Sequence, residues 1–103
     1  MIRFFLAAAL LASSTAAFAE DHVVVQKGRR FHPGDIVIAK GDTLTFTNDD
    51  EFIHQIFVDS PTFSFDTKEK MPGERDSETF TQAGTFEVRC HIHPRMKLVV
   101  TVK

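Results

Sequence analysis

The chain has 103 residues, with 12 basic and 14 acidic side chains and a formal net charge of −2. That length allows one small domain with a modest core, and the charge balance excludes the basic footprint of a nucleic-acid-binding protein. A single cysteine, Cys90, excludes an internal disulfide.

The first segment reads as a secretory signal peptide. Arg3 supplies the charged start, residues 4–11 the apolar stretch, and Ala17-Phe18-Ala19 the small-x-small cleavage signature. The apolar stretch is shorter than a bilayer span and Ser13-Ser14-Thr15 follows it, so stable membrane insertion is not expected. Residues 1–19 are therefore set apart from a folded domain over 20–103, exported to the periplasm. Loss of Arg3 leaves 11 basic against 14 acidic side chains, a net charge of about −3. Cleavage after Ala19 would expose Glu20-Asp21-His22. A free amine, two amides and an imidazole at position three can form a square-planar nitrogen site for Cu(II) or Ni(II).

Along the rest of the chain, short β-forming runs alternate with turn signals. Val23-Val24-Val25, Ile36-Val37-Ile38 and Leu98-Val99-Val100 are β-branched or apolar runs. Thr43-Leu44-Thr45-Phe46-Thr47 and Thr85-Phe86-Glu87-Val88-Arg89-Cys90 alternate apolar with polar, the period of half-buried strands. Pro33-Gly34-Asp35, Lys40-Gly41-Asp42, Asn48-Asp49-Asp50, Pro72-Gly73-Glu74 and Ala83-Gly84 mark turns. The acids Asp49-Asp50 read as a solvated turn, His32 as a loop residue, and 60–75 as irregular with room for a short strand. The pattern predicts an all-β sandwich or barrel. Alternation puts Phe86, Val88 and Cys90 on one face, so the thiol emerges from the interior at one end of the fold.

The run Cys90-His91-Ile92-His93-Pro94-Arg95-Met96 carries the chemistry. A thiolate, imidazole and thioether on one tight loop are soft and borderline ligands, a set that suits copper far better than magnesium or calcium. A His₂Cys site with a long axial Met is that of a blue-copper electron-transfer centre. The loop supplies three of those groups, and His54 is the candidate for the second His. Zinc also takes Cys and two His, but not Met. Taken singly, Cys90 and Met96 also suit a hydrophobic core, and His54 a hydrogen-bonded core position.

With these residues in view, the sequence resembles the cupredoxins, and most closely the amicyanin and plastocyanin-like group. The likeness rests on the Cys90–Met96 loop with Pro94 after His93, on Lys40-Gly41-Asp42-Thr43-Leu44-Thr45-Phe46-Thr47-Asn48, and on Ala83-Gly84-Thr85-Phe86. It implies a Greek-key β-sandwich with one type 1 copper. His54, Cys90 and His93 would be the equatorial ligands and Met96 the weak axial one. Two departures stand out. Gln55 replaces the usual Asn after the first His, and Arg95 and Lys97 sit where the family has an apolar docking face. Cys90-His91-Ile92 also resembles the multicopper oxidases, but Arg89 stands where their preceding His would be, so His91 reads as a solvated or locally bonded side chain.

The expected function is single-electron shuttling by an exported, monomeric copper protein that is not itself an enzyme. Its partner would be a redox protein such as a cytochrome or dehydrogenase, docking transiently near His93. The alternative is periplasmic copper handling, toward which His22, His32 and His91 point.

Overall fold

The computed structural model describes residues 18–103, so the predicted signal peptide lies almost wholly outside the described residues. Nine strands follow in order: β1 (Asp21–Lys27), β2 (Arg30–His32), β3 (Ile36–Ile38), β4 (Thr43–Asn48), β5 (Ile56–Val58), β6 (Phe65–Asp66), β7 (Arg75–Thr79), β8 (Gly84–Cys90) and β9 (Lys97–Val102). They form a four-stranded sheet, β2-β1-β4-β7, and a five-stranded sheet, β3-β9-β8-β5-β6. The pairs β1–β4 and β3–β9 are parallel and the other ladders antiparallel. Among the described residues no helix is long and apolar enough to cross a membrane.

The five runs read as strands in the sequence are β1, β3, β4, β8 and β9. Their alternation is realised side by side. In β4, Leu44, Phe46 and Asn48 are buried while the threonines between them are half-buried. In β8, Phe86, Val88 and Cys90 are buried and Glu87 is exposed. The two inner faces meet as in other sandwiches, with Phe80 fully enclosed and Phe63 packed 4.9 Å from it and 5.5 Å from Phe86 between ring centroids. The chain has eleven Phe and neither Tyr nor Trp, so its aromatic core brings in no polar atom that needs a partner.

Four strands lack a legible pattern. β2, β5 and β6 span only two or three residues each. His32 lies on β2 rather than in a loop. β7, Arg-Asp-Ser-Glu-Thr, has no apolar residue at all. Its pairings Phe46↔Asp76 and Leu44↔Glu78 turn both acids toward the core side. Burial and the neighbouring Asp76 push the Glu78 carboxyl up to about 7. Inward charges on an edge strand discourage pairing with another sheet, which accounts for a polar strand at this edge.

The end of the sandwich away from Cys90 is closed by Asp42. Its carboxylate accepts the backbone N–H groups of Glu20 and Ala39, each at 2.9 Å, and bonds His22 Nε2 at 3.0 Å. His22 is thereby committed within β1, whose residues pair in parallel with β4 from Asp21↔Thr43 onward. Successive amides of an extended strand point to opposite edges. They do not converge as the square-planar nitrogen site considered for Glu20-Asp21-His22 requires.

The Glu20 amide, the His22 imidazole and the Ala39 amide lower the Asp42 carboxyl from 3.8 to about 2. A depressed carboxyl contributes stability that is present above its unfolded value and is lost as pH falls through the folded one. Asp42→Asn should therefore flatten the fall in stability between about pH 4 and about pH 2. Denaturant midpoints across that window check it, and an unchanged acid limb would refute it.

Candidate metal centre

Strand register builds the site. β8 ends at Cys90, which lies opposite Ile56 of β5. Two residues before Ile56, on the same side of the extended chain, is His54. Its backbone is fixed by paired bonds with Lys70, N–H to carbonyl in both directions at 3.1 and 2.8 Å. The result is Cys90 Sγ at 3.6 Å from His54 Nδ1, with cysteine and histidine both buried. The loop after Cys90 then folds back. His91 donates its amide to the Gln55 carbonyl at 2.8 Å, and Met96 donates its own to the His93 carbonyl at 2.9 Å. That turn carries His93 Nδ1 to 3.9 Å from the same sulfur. Met96 is buried at the loop's end, directly before β9.

His54 is oriented by a carboxylate. Its Nε2 lies 2.7 Å from Asp50 Oδ2, and both side chains are buried. An ionised carboxylate only accepts, so Nε2 carries the proton and Nδ1 presents its lone pair toward Cys90. Asp50 also accepts the N–H groups of Gly28 at 2.6 Å and Arg29 at 3.2 Å. These are the two central residues of the β1–β2 hairpin turn, with φ of 63° and 57°. A left-handed turn of this kind is favoured by strand twist but costs a non-glycine residue about 1 kcal/mol. The carboxylate offsets part of that cost at Arg29 by satisfying the turn's amides. Burial alone would raise the Asp50 carboxyl. The His54 imidazole and the Gly28 and Arg29 amides outweigh it and hold the group below its ordinary value.

Asp50 was legible in the sequence only as part of a solvated Asp49-Asp50 turn. Asp49 is indeed exposed, whereas Asp50 is buried. Asn48 was likewise read as a turn marker, yet it is fully buried. Its Nδ2 donates to the carbonyls of Phe52 and Lys70, and its Oδ1 accepts the Asp50 amide. Asn48 thus shapes the 48–54 loop and ties it to the segment pairing with His54. The one available signal was an Asn and an Asp placed just before a candidate ligand. Short polar side chains in that position hold turns together by bonding nearby backbone.

The remaining histidines are used separately. His32 Nε2 bonds the Lys27 carbonyl at 3.1 Å. His91 is exposed, stacked on Phe57 with centroids 3.9 Å apart, and bonded to Asp66 at 3.1 Å. Gln55 points its side-chain amide to Asp66 at 2.8 Å, away from the sulfur. Among the described residues, His54, Cys90 and His93 are the one group of three His, Cys or acidic residues placed to hold a metal ion, their ligand atoms within 4.8 Å of one another.

The three donors fit a metal. Bonds of about 2.0 Å to nitrogen and about 2.3 Å to sulfur, meeting at trigonal angles, set nitrogen and sulfur about 3.7 Å apart. The observed 3.6 and 3.9 Å bracket that value. Burial, together with the nearby Arg29 charge, lowers the His93 imidazole from its ordinary range. A neutral ring keeps its lone pair available to a cation.

Comparison with known proteins agrees with this geometry. A family model described as copper-binding proteins of the plastocyanin/azurin family matches residues 17–103. Chloroplastic plastocyanin from Physcomitrium patens is 35% identical over 83 residues, covering 70% of this chain and 49% of that protein. The chain spans about half the length of the curated relatives it matches. Among solved structures, a reduced amicyanin variant superposes with a TM-score of 0.74 at 23% identity, covering 86% of this chain and 88% of that one. The copper-containing nitrite reductase of Thermus scotoductus SA-01 superposes with a TM-score of 0.71 at 32% identity, over 79% of this chain but 22% of that one. The amicyanin likeness establishes the all-β sandwich.

Replacing Asp50 by Ala leaves the His54 Nε2–H and two turn amides without their acceptor. A buried donor left without its acceptor costs about 1–3 kcal/mol. Chemical denaturation of Asp50→Ala should show a loss of that size, with Asp50→Asn recovering part of it. A loss below about 1 kcal/mol, the scale of an exposed pair, would contradict the anchoring role.

Proposed function

This chain belongs to the plastocyanin/azurin family of copper-binding proteins, and from that premise we propose that it is an exported type 1 copper protein that shuttles single electrons. Its cofactor is copper, which when bound supplies one-electron exchange between Cu(I) and Cu(II). In this reading His54, Cys90 and His93 are the close ligands and Met96 the weak axial one. The observation that carries it is the convergence of one sulfur and two imidazole nitrogens at the end of the sandwich.

Each residue has a defined task. Sheet pairing at Ile56↔Cys90 and the Asp50 bond to His54 hold two donors on rigid supports, so little rearranges as an electron comes or goes. Full burial of Cys90 and His54 keeps water and external oxidants from the sulfur. His93 is only half-buried, so its ring links the interior to the surface and serves as the port for electrons. The partner is a redox protein such as a cytochrome or a dehydrogenase, met in a small, short-lived encounter by a monomer. Release to the periplasm follows from the Arg3-to-Ala19 leader pattern.

Copper handling drew on the additional histidines. His22, His32 and His91 instead have separate partners in Asp42, the Lys27 carbonyl and Asp66, and gather at no common point. Electron shuttling is the better supported reading.

The Cu(II)-loaded protein should show intense thiolate-to-copper absorption in the visible and bind one copper per chain. Cys90→Ser should abolish that absorption and leave the far-ultraviolet dichroism of the β-sandwich in place. Intense colour surviving in Cys90→Ser would refute the ligand assignment.

A further inference from the structure

A groove beside His93 joins two parts of the chain that are far apart in sequence. Arg29 and Arg30 enter it from the β1–β2 hairpin, and Arg95 from the loop after Cys90, with Ile92 and Pro94 adding apolar surface. All three arginines are exposed. None forms an ion pair among the described residues, and no carboxylate lines this groove. The neighbouring depression is mixed, with Asp49, Asp50 and Glu51 beside Lys27 and Arg29, and Asp50 there is already turned inward. Lys97, which the sequence suggested as a further cation, is 3.9 Å from Glu87, to which Arg89 is also bonded, and so belongs to a separate charge cluster.

Arg29 is also pre-oriented. Its guanidinium lies 5.2 Å from the Phe52 ring centroid. That ring packs 5.0 Å from His93 and 5.4 Å from His54. Asp50 holds the Arg29 backbone at the same time. The guanidinium is thereby kept next to the electron port by cation–π contact rather than by a carboxylate, which leaves its fork of donors open.

We infer that this arginine rim around His93 is the docking face for a redox protein that surrounds its own redox centre with carboxylates. The inference rests on the electron-shuttling reading and adds the partner's chemistry. Guanidinium groups match carboxylates in a two-bond fork, and three unpaired cations on a chain of negative net charge orient an acidic partner during approach. The apolar Ile92 and Pro94 supply contact area between the charges. Such an arrangement speeds encounter more than it lengthens it, which suits a carrier.

Hexacyanoferrate(III) oxidation of the reduced copper protein tests the sign of the field at the port. The overall negative charge alone predicts a rate that rises when ionic strength goes from about 0.01 to about 0.2 M. The rim predicts a rate that falls. The double variant R30E/R95E should lower the low-salt rate at least about tenfold and reverse its salt dependence. K40E/K103E, which changes the net charge equally at the far end of the sandwich, should not reverse it. A rate that rises with salt in the unaltered protein overturns the inference, as does an equal response in both variants.

A second readout does not depend on redox activity. Titrating the ¹⁵N-labelled protein with hexaglutamate should shift amides of residues 28–30, 92, 93, 95 and 96, and hexalysine should not. Shifts elsewhere only, or equal shifts with both peptides, overturn the inference. Hexaglutamate shifts at these amides in a protein that hexacyanoferrate cannot oxidise would uphold the cationic docking face while removing the electron-shuttling reading.

Discussion

The bond between the buried carboxylate of Asp50 and His54 Nε2 is the contact on which most of this site depends. It sets which nitrogen of His54 faces Cys90, and so makes the imidazole a donor to a cation rather than to a neighbouring acceptor. The same carboxylate gathers the Gly28 and Arg29 amides, which fastens the β1–β2 hairpin over the end of the sandwich. Site and fold are therefore not separable here. Burying a carboxylate is costly unless its oxygens are filled, and the site supplies the bonds that fill them.

That coupling extends outward in layers. Asn48 shapes the loop that presents Asp50 and links it to Lys70, whose backbone brackets His54. Phe52 lies between the two histidines and the guanidinium of Arg29. The metal-binding end is consequently a contiguous packed unit, from the buried thiol to the exposed arginines. The opposite end uses the same device differently, with Asp42 collecting amides from two segments to close the sandwich. Between them lies a core of phenylalanine and aliphatic side chains that makes no hydrogen-bonding demand.

Legibility in the sequence followed how local each signal was. β4 and β8 stood out because alternation is a property of adjacent residues, and it put Cys90 on the inner face alongside Phe86 and Val88. β7 was invisible because its inward positions are Asp76 and Glu78, chosen for an open sheet edge and not for hydrophobic burial. Asp50 was misread for a related reason. Two adjacent acids in a turn usually face water, and nothing within several residues of Asp50 shows that a distant hairpin turn will supply its donors. Lys97 was misplaced as well, since its charge is drawn to Glu87 on the neighbouring strand.

By itself the sequence determined the chemistry on offer. A thiol, an imidazole and a thioether within one short loop define the donor types whatever the fold around them, and the period of two in β8 aims the thiol inward. Tertiary structure alone decided the meeting of the Cys90 thiol and the His93 imidazole with His54, the protonation site of the His54 ring, and the gathering of Arg29, Arg30 and Arg95 around His93. The reason is strand register. Pairing Ile56 with Cys90 and folding the β1–β2 hairpin over Asp50 are contacts between residues tens of positions apart, and no local pattern of side chains encodes which of them will touch.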